Sequence, residues 1–431
     1  MLTSTKNYEW QNRWRFARQA LNGTGIFYTG DVLDKFGRES DEDYQSRKDQ
    51  YKYTYENIFS QKVDKFIAHI FKQGVKRETT NSLLSIMLDD IDGNGTHLND
   101  FMVKFAKHAK ALGVGLLLVD MHQVTAQSLD EQINRRQVPY FVEILPENVY
   151  DYELDDNKTL KYVKYIETID GEYYFREWDA QGWRLQTEDG DLVSEGQHNL
   201  GVCPILVFSE MGAFESVGSF TSIAGLSKKL VNIESELRNI MRYQGFSILT
   251  IQTSRGVEPD FDVGASNLLT YTGENPPAYI NSDSSQASIY EERMLKIREA
   301  IDIISFDTVT TKSQETAQSL QIRFEGLNAA LNAFAQKLDR LETQAFELVC
   351  RYLGLSSDNL INISYPTNFQ ISDPLVELQM LENIRSIARI PTYEIEKLKK
   401  IIKQDLNSLD EDIINKIYEE IAVGLKMEFE N

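Results

Sequence analysis

Three stretches in the second half of the chain carry an apolar residue every three or four positions without a break. The first is Ile223, Leu226, Leu230, Ile233, Leu237 and Ile240, and the second is Tyr290, Met294, Ile297, Ile301 and Ile304. The third runs through Leu320, Phe324, Leu327, Leu331, Phe334, Leu338, Leu341, Ala345, Leu348 and Tyr352. Alternating steps of three and four keep one narrow seam of a helix facing a neighbour along its whole length. The spacing predicts helices over 220–244 and 286–304, and a third helix roughly 50 Å long at 1.5 Å per residue. A compact single domain rarely needs a helix that long. Helices packed side by side in an assembly, such as a ring, do.

The first hundred residues read as helices with polar connections. Trp14, Ala17 and Leu21 form one amphipathic run, and Tyr55, Ile58, Val63, Phe66, Ile67 and Ile70 form another. A helix over 97–112 ends at Gly113-Val114-Gly115. The continuous apolar run Leu116-Leu117-Leu118-Val119 up to Asp120 then predicts a buried strand. Between Tyr140 and Glu210 the period falls to two, with aromatic and β-branched runs at 141–144, 162–166, 173–178 and 205–208. With Asp170-Gly171, Gln181-Gly182 and Asp189-Gly190 as turns, this predicts one antiparallel meander. Ser219 is a candidate N-cap for the first seam helix. Strand-like runs at 247–251 and 267–271, punctuated by Gly273, Pro276 and Pro277, separate the first two seam helices. The simplest packing is an antiparallel helical hairpin with a small β tip. A polar Thr/Ser-rich loop over 305–315 precedes the long helix, which stops at Gly354. A strand over 361–366 follows, and the last 60 residues read as helices divided by Pro391 and the cap-like Ser408-Leu409-Asp410-Glu411.

At 431 residues the chain is long enough for two to four packed units. Its net charge of −21 is uneven. Residues 141–200 hold 15 acidic and 5 basic side chains, a net of −10, whereas residues 1–78 hold 14 basic and 11 acidic, a net of +3. A protein that grips nucleic acid by neutralising phosphates has the opposite balance, so any contact with DNA is expected to be loose. Two cysteines, Cys203 and Cys350, point to a reducing compartment without a disulfide framework. The first residues lack a signal-peptide layout, and no run of 18 apolar residues predicts a membrane span.

Candidate chemistry is sparse. Asp90-Ile91-Asp92-Gly93-Asn94-Gly95 fits positions 1, 3, 5 and 6 of an EF-hand loop, but position 12 is Phe101 where a bidentate Glu belongs. The reading is a turn leading into a helix. The five histidines, His69, His97, His108, His122 and His198, show no ligand spacing with each other or with the cysteines. Gly23-Thr24-Gly25 lacks the strand and lysine of a phosphate-binding loop, and no Gly-x-Ser-x-Gly elbow appears. The Tyr/Trp cluster at 173–183 lacks basic interleaving and reads as a packed sheet face. No enzyme, cofactor or metal is expected. Two weaker readings are a nucleic-acid hydrolase with scattered acidic ligands and calcium sensing at 90–101.

Three features then combine. Asp92-Gly93-Asn94-Gly95-Thr96-His97-Leu98 leads through a helix to Gly113-Val114-Gly115 and the apolar run ending at Asp120. Val138-Pro139-Tyr140 continues to Leu145-Pro146-Glu147-Asn148-Val149. Above all, the order is helix, β insertion, helix, polar loop, very long helix. In this layout most of the chain resembles the portal proteins of tailed bacteriophages, the rings that connect head to tail. The resemblance implies an α+β, mainly helical fold with a β-rich wing over 1–219 (its β part 116–210). Stem helices would occupy 220–245 and 285–305, with a β clip over 246–284 between them. A tunnel loop over 306–316 would lead to a long helix and returning wing strand over 317–371, and a helical crown would fill 372–431.

What the resemblance implies for function follows. A homo-oligomeric ring, usually of twelve copies, would sit at one capsid vertex of the virion, assembled in the host cytoplasm. Double-stranded DNA would be packaged and ejected through it without sequence preference. Partners would be the terminase large subunit, scaffolding and major capsid proteins, and head-completion or tail adaptor proteins, with no membrane and no catalysis. Thr308, Thr310, Thr311, Lys312, Ser313 and Gln314 would face the DNA. Read on its own, Lys312 is equally a solvated loop charge. Arg255, Glu258, Asp260, Asp262 and Tyr279 would form the clip surface facing terminase or adaptor. The stem seams would be candidates for packing between subunits. A loose grip on phosphates suits a channel that passes DNA both ways, because each neutralised phosphate adds to the hold. The alternative is another connector or adaptor ring with no translocation role, although adaptors tend to be shorter and lack the hairpin.

Overall fold

In the computed structural model, which describes residues 8–37, 39–122, 125–244, 248–250, 278–280, 285–307, 317–356, 361–367, 369, 381–382, 384, 390–405 and 413–421, the apolar run becomes β2 (Val114–Asp120). It lies between β3 (Tyr140–Ile144) and β9 (Ile205–Ser209) in an antiparallel sheet, with Leu116 opposite both Ile144 and Val207. Successive strand residues point to opposite faces. Val114 through Val119 are all buried, so both faces of β2 are covered. Two helices pack there through aromatic contacts. From α6 (Leu98–Leu112), Phe101 meets Phe141 and Phe105 meets Phe208. From α10 (Ala317–Leu353), Phe346 meets Phe141 and Phe334 meets Phe208. Phe66 of α4 (Ile58–Phe71) also lies edge-on to Phe334. Trp14 of α1 (Tyr8–Asn22) is buried, and its indole donates to the Ser216 carbonyl at 3.0 Å.

The seam of α10 is therefore occupied. Leu327, Leu331, Phe334, Leu338, Leu341, Ala345 and Leu348 are buried within the chain's own body. Burial within the single chain already accounts for that stretch of the long helix. At 37 residues, about 55 Å, it spans a core formed by distant parts of its own chain.

The single meander expected between Tyr140 and Glu210 is two sheets. Its first and last runs, β3 and β9, flank β2. The middle forms a five-stranded antiparallel sheet of β4 (Val149–Leu154), β5 (Leu160–Ile169), β6 (Glu172–Trp178), β7 (Gly182–Thr187) and β8 (Leu192–Gln197). Val163, Tyr165, Trp178 and Leu185 are buried on one face, and Phe175 is buried on the other beside Tyr150, whereas Tyr173 is exposed. Asp170 and Gly171 both have positive φ, as a two-residue I′ turn requires. The expected Gln181-Gly182 turn lies one step earlier. The Asp179 carboxylate accepts from the Gln181 and Gly182 amides at 2.7 and 2.9 Å, and Gly182 already begins β7.

Other elements escaped the hydrophobic pattern. Helix α3 (Asp41–Tyr51) is polar almost throughout, and its start is set by charge. Ser40 caps it by accepting from the Asp43 amide at 3.0 Å, and Asp41, Glu42 and Asp43 face the positive end of its dipole. Three further elements are α2 (Ile26–Thr29), α5 (Ser82–Asp89) and α7 (Leu129–Asn134). Strand β1 (Lys76–Glu78) pairs with β12 (Asn362–Ser364), which occupies the strand expected over 361–366.

The Asp90–Thr96 segment is a turn whose carboxylates are already used. Asp90 accepts from the Gly95 amide at 2.8 Å and pairs with Arg136. Asp92 accepts from the Asn94 amide at 2.9 Å and from the Thr96 hydroxyl at 2.8 Å. His97 caps α6 by accepting from the Asn99 amide at 3.1 Å.

The chain divides into one unit over 1–368 and a second over 369–431. In the second unit α11 (Pro391–Asp405) and the helical residues 413–421 are described. The Tyr418 hydroxyl donates to the Lys399 carbonyl at 3.3 Å.

Buried phenols make the fold sensitive to alkali. Burial pushes the Tyr55 phenol up to about 12, and Tyr51, Tyr165, Tyr352 and Tyr365 move the same way for the same reason. An unfolded tyrosine loses its proton near pH 10, while the folded one keeps it longer, so stability falls as pH rises through 10. Tyr55 alone accounts for about 3 kcal/mol of that fall once pH passes 12. Burial lowers the Lys110 amine instead, which acts with the opposite sign, adding stability as pH rises toward 10.5. The tyrosines outnumber it. Thermal unfolding followed from pH 8 to 11.5 is expected to show a steep fall in melting temperature beginning near pH 10.

Candidate functional site: the helical hairpin and its base

Helices α8 (Thr221–Gln244) and α9 (Ser285–Ile304) pack against each other. Beyond them β10 (Ile248–Thr250) pairs antiparallel with β11 (Ala278–Ile280), with Leu249 opposite Tyr279. The strand expected at 267–271 lies outside the described residues, and the partner of β10 is Ala278–Ile280.

Within the seam, Ile223, Leu230, Ile297 and Ile301 are buried in the single chain. Leu226, Ile233, Leu237, Ile240, Tyr290, Met294 and Ile304 are half-buried. The Tyr290 phenol of α9 is raised by burial and then by the charge of Glu236 on α8. The seams therefore meet each other at least in part, and a charge at Ile301 would break the chain's own packing.

The buried stripe of α8 does not follow the apolar seam alone. Ser227, Asn232 and Ser235 are buried too. Asn232 accepts from the Asp34 amide at 2.7 Å and donates to the Val32 carbonyl at 3.2 Å. Arg47 of α3 donates to the Ser235 hydroxyl at 3.2 Å, to the Asp34 carbonyl at 2.7 Å, and through two nitrogens to Glu39 at 2.8 Å each. The partners of Asn232 and Ser235 lie some 200 positions away in the sequence, where helical periodicity does not reach.

At its start α8 is tied to the body by a charged knot that sequence reasoning missed. Lys110, with its side chain 2% exposed, places its ammonium 4.2 Å from the Phe66 ring, 4.3 Å from Phe220 and 5.4 Å from Phe334. It donates to Glu210 at 2.7 Å and to the Ser219 hydroxyl at 2.9 Å. A desolvated cation gains from aromatic faces and from a paired carboxylate together. Glu210 also accepts from the Ser219 amide at 3.0 Å, setting a negative charge before the first turn of α8. Ser219, expected as the cap, contributes through Glu210, and the Thr221 hydroxyl donates to the Ala111 carbonyl at 2.8 Å. The signal in the sequence was one lysine on the apolar face of α6, four positions after Ala106.

The far end of α9 is held by α4. Lys62 reaches Asp302 at 2.5 Å and Asp307 at 2.7 Å, and Lys65 reaches Asp307 at 2.6 Å. Phe306 stops the helix with a φ of 56°. Arg298 pairs with Glu56 at 2.7 Å. Glu234 with Arg238 and Glu292 with Lys296 form pairs within their own helices. Thr308, Thr310, Thr311, Lys312, Ser313 and Gln314 lie outside the described residues, as do Arg255, Glu258, Asp260 and Asp262.

The outer surface of α9 is unusually apolar. Ile289, Leu295 and Ile303 are 64%, 58% and 72% exposed, and Met241 of α8 is 61% exposed. At about 100° per residue, Ile289 and Ile303 lie about 40° apart on one flank of α9, and Leu295, on the other, lies about 120° from Ile289 but about 80° from Ile303. Both flanks differ from the face that carries Ile297 and Ile301. Among the described residues, no group of three His, Cys, Asp or Glu side chains is placed to hold a metal ion. No helix among them is long and apolar enough to cross a membrane. Cys203 and Cys350 are buried free thiols, and burial pushes Cys203 up to about 12.

No family model and no curated protein matches the chain. Among solved structures it is similar to a chain in the virion of a native gene transfer agent particle. That pair has 10% identity and a TM-score of 0.47, covering 79% of this chain and 89% of the other. It is also similar to a chain in the neck of an empty gene transfer agent particle, with 11% identity and a TM-score of 0.44, covering 77% and 87%.

Proposed function

We propose that this chain is the subunit of a portal-type ring through which double-stranded DNA is packaged into and released from a virus-like head, without catalytic chemistry of its own. The observation that carries the reading is the α8–α9 hairpin. Its seam is partly satisfied inside the chain, yet α9 presents Ile289 and Ile303 on one flank and Leu295 on the other. A helix with exposed apolar residues on two flanks suits head-to-tail contact with one neighbour on each side, the arrangement that closes into a ring. The overall excess of negative charge supports passage of DNA without a strong hold. In this reading the loop with Lys312 lines the channel, and the surface around Arg255, Glu258, Asp260, Asp262 and Tyr279 meets the packaging terminase and later the head-completion proteins.

Two substitutions on one helix separate assembly from folding. Ile303→Glu is expected to leave the monomer's melting temperature almost unchanged, since exposed positions shift stability by about 0.5 kcal/mol or less, while the ring fraction in native mass spectra falls sharply. Ile301→Glu is expected to unfold the chain, because Ile301 is fully buried. Rings of Ile303→Glu at wild-type abundance would remove that flank from the subunit contact.

A further inference from the structure

Between α3 and α8 lies a cavity of about 20 Å³, lined by Arg47, Tyr51, Glu234, Ser235, Arg238 and Asn239 among others. Every lining residue carries a polar group, and Tyr51 is 5% exposed. The Tyr51 hydroxyl has no hydrogen-bond partner within the protein. Burial raises that phenol, and Glu234 and Arg238 line the same cavity. In the same lining, the Ser235 hydroxyl accepts from Arg47 at 3.2 Å, which leaves its own proton to donate. Arg47 also donates to Glu39 and to the Asp34 carbonyl.

We propose that this cavity is a built binding site for a single water molecule that joins Tyr51 to Ser235 and so bridges α3 to the hairpin helix α8. The size fits one water and nothing larger, since a cavity needs roughly 10–15 Å³ to hold one. The chemistry fits as well. A water needs two to four polar partners, and Tyr51 and Ser235 supply two, with Glu234 and Asn239 within the same lining. The charges around the site are already balanced, Arg47 by Glu39 and Arg238 by Glu234, which favours a neutral guest over an ion. An unmade hydrogen bond on a buried hydroxyl is costly, and the water removes that cost. The inference holds whatever the function of the ring.

The test is a structure of the full chain at a resolution where waters are visible, together with the melting temperature of Tyr51→Phe. The proposal expects a density peak within hydrogen-bond distance of the Tyr51 and Ser235 hydroxyls, absent in Tyr51→Phe, and a lower melting temperature for the variant. Loss of the hydroxyl would strip a bound water of one partner. The opposite sign is equally informative. If the hydroxyl were truly orphaned, removing it would raise the melting temperature, and that result with a dry cavity overturns the proposal. The density decides between them, because a clean cavity without a peak in the wild-type chain is sufficient to reject the site.

Discussion

Arg77→Met is expected to destabilise the larger unit by about 3–5 kcal/mol, the cost of leaving a buried charge without its partner. Arg77 lies in β1 with its side chain 6% exposed, and Glu342 of α10, its partner, is fully buried. A second guanidinium nitrogen reaches the other Glu342 oxygen at 3.0 Å, and the Tyr365 hydroxyl donates to the same oxygen at 2.7 Å. Asn99 of α6 accepts from Arg77 at 3.3 Å. One carboxylate thus ties the β1–β12 pair to the long helix. The geometry also predicts the rescue. Adding Glu342→Leu to Arg77→Met removes the stranded charge and should recover most of the loss, since hydrophobic replacement of a whole buried pair is often neutral or better. Urea unfolding of the wild type, the single variant and the double variant reads both effects. A double variant no more stable than the single one would mean that the pair is not what holds this joint.

The second large effect is expected at Gly113→Ala. Gly113 ends α6 with a φ of 85°, and a Cβ there would lie 1.9 Å from the Gly218 nitrogen, a backbone atom that cannot swing aside. The left-handed backbone alone costs a non-glycine residue about 1–2 kcal/mol, and the clash adds to it by forcing apart the 113–218 contact beside the Lys110 knot. Gly171→Ala is the control. It has a φ of 88° but nothing within 4 Å, so only the conformational cost applies. Circular dichroism melts of the two variants should differ clearly, with Gly113→Ala much the lower. Equal melts would show that the strand-to-helix crossing at Gly218 has room to relax.

The comparison of these sites with the sequence shows what periodicity can and cannot reach. The three-and-four spacing located α8, α9 and α10, because a helix must bury one side and a sequence records which side. It did not record what covers that side. The α10 seam meets β9, β2 and α4 of its own chain, and four of the eleven α8–α9 seam residues are buried within the single chain. Period-two runs located β3, β5, β6 and β9 but not β4, β7 or β8, and β3 and β9 join β2 while the strands between them form another sheet, since pairing depends on contacts far apart in the chain. Helix α3 was missed because its apolar content is low and its stability comes from Ser40 and three leading acids. Lys110 and Glu342 were legible only as single charges on apolar faces, and their partners could not be named until Glu210 and Arg77 were brought beside them. Of the candidate site, the residues proposed to face DNA or the packaging motor lie outside the described residues, apart from the backbone of Tyr279.

The most direct measurement is the mass of the purified full-length chain under native conditions, paired with negative-stain images of the same sample. Closed rings with a central hole, about a dozen subunits in the mass spectrum and loss of both in Ile303→Glu are the results expected of a portal-type subunit. A chain that stays monomeric at high concentration, and still does so in the presence of its own scaffolding protein, would contradict the account.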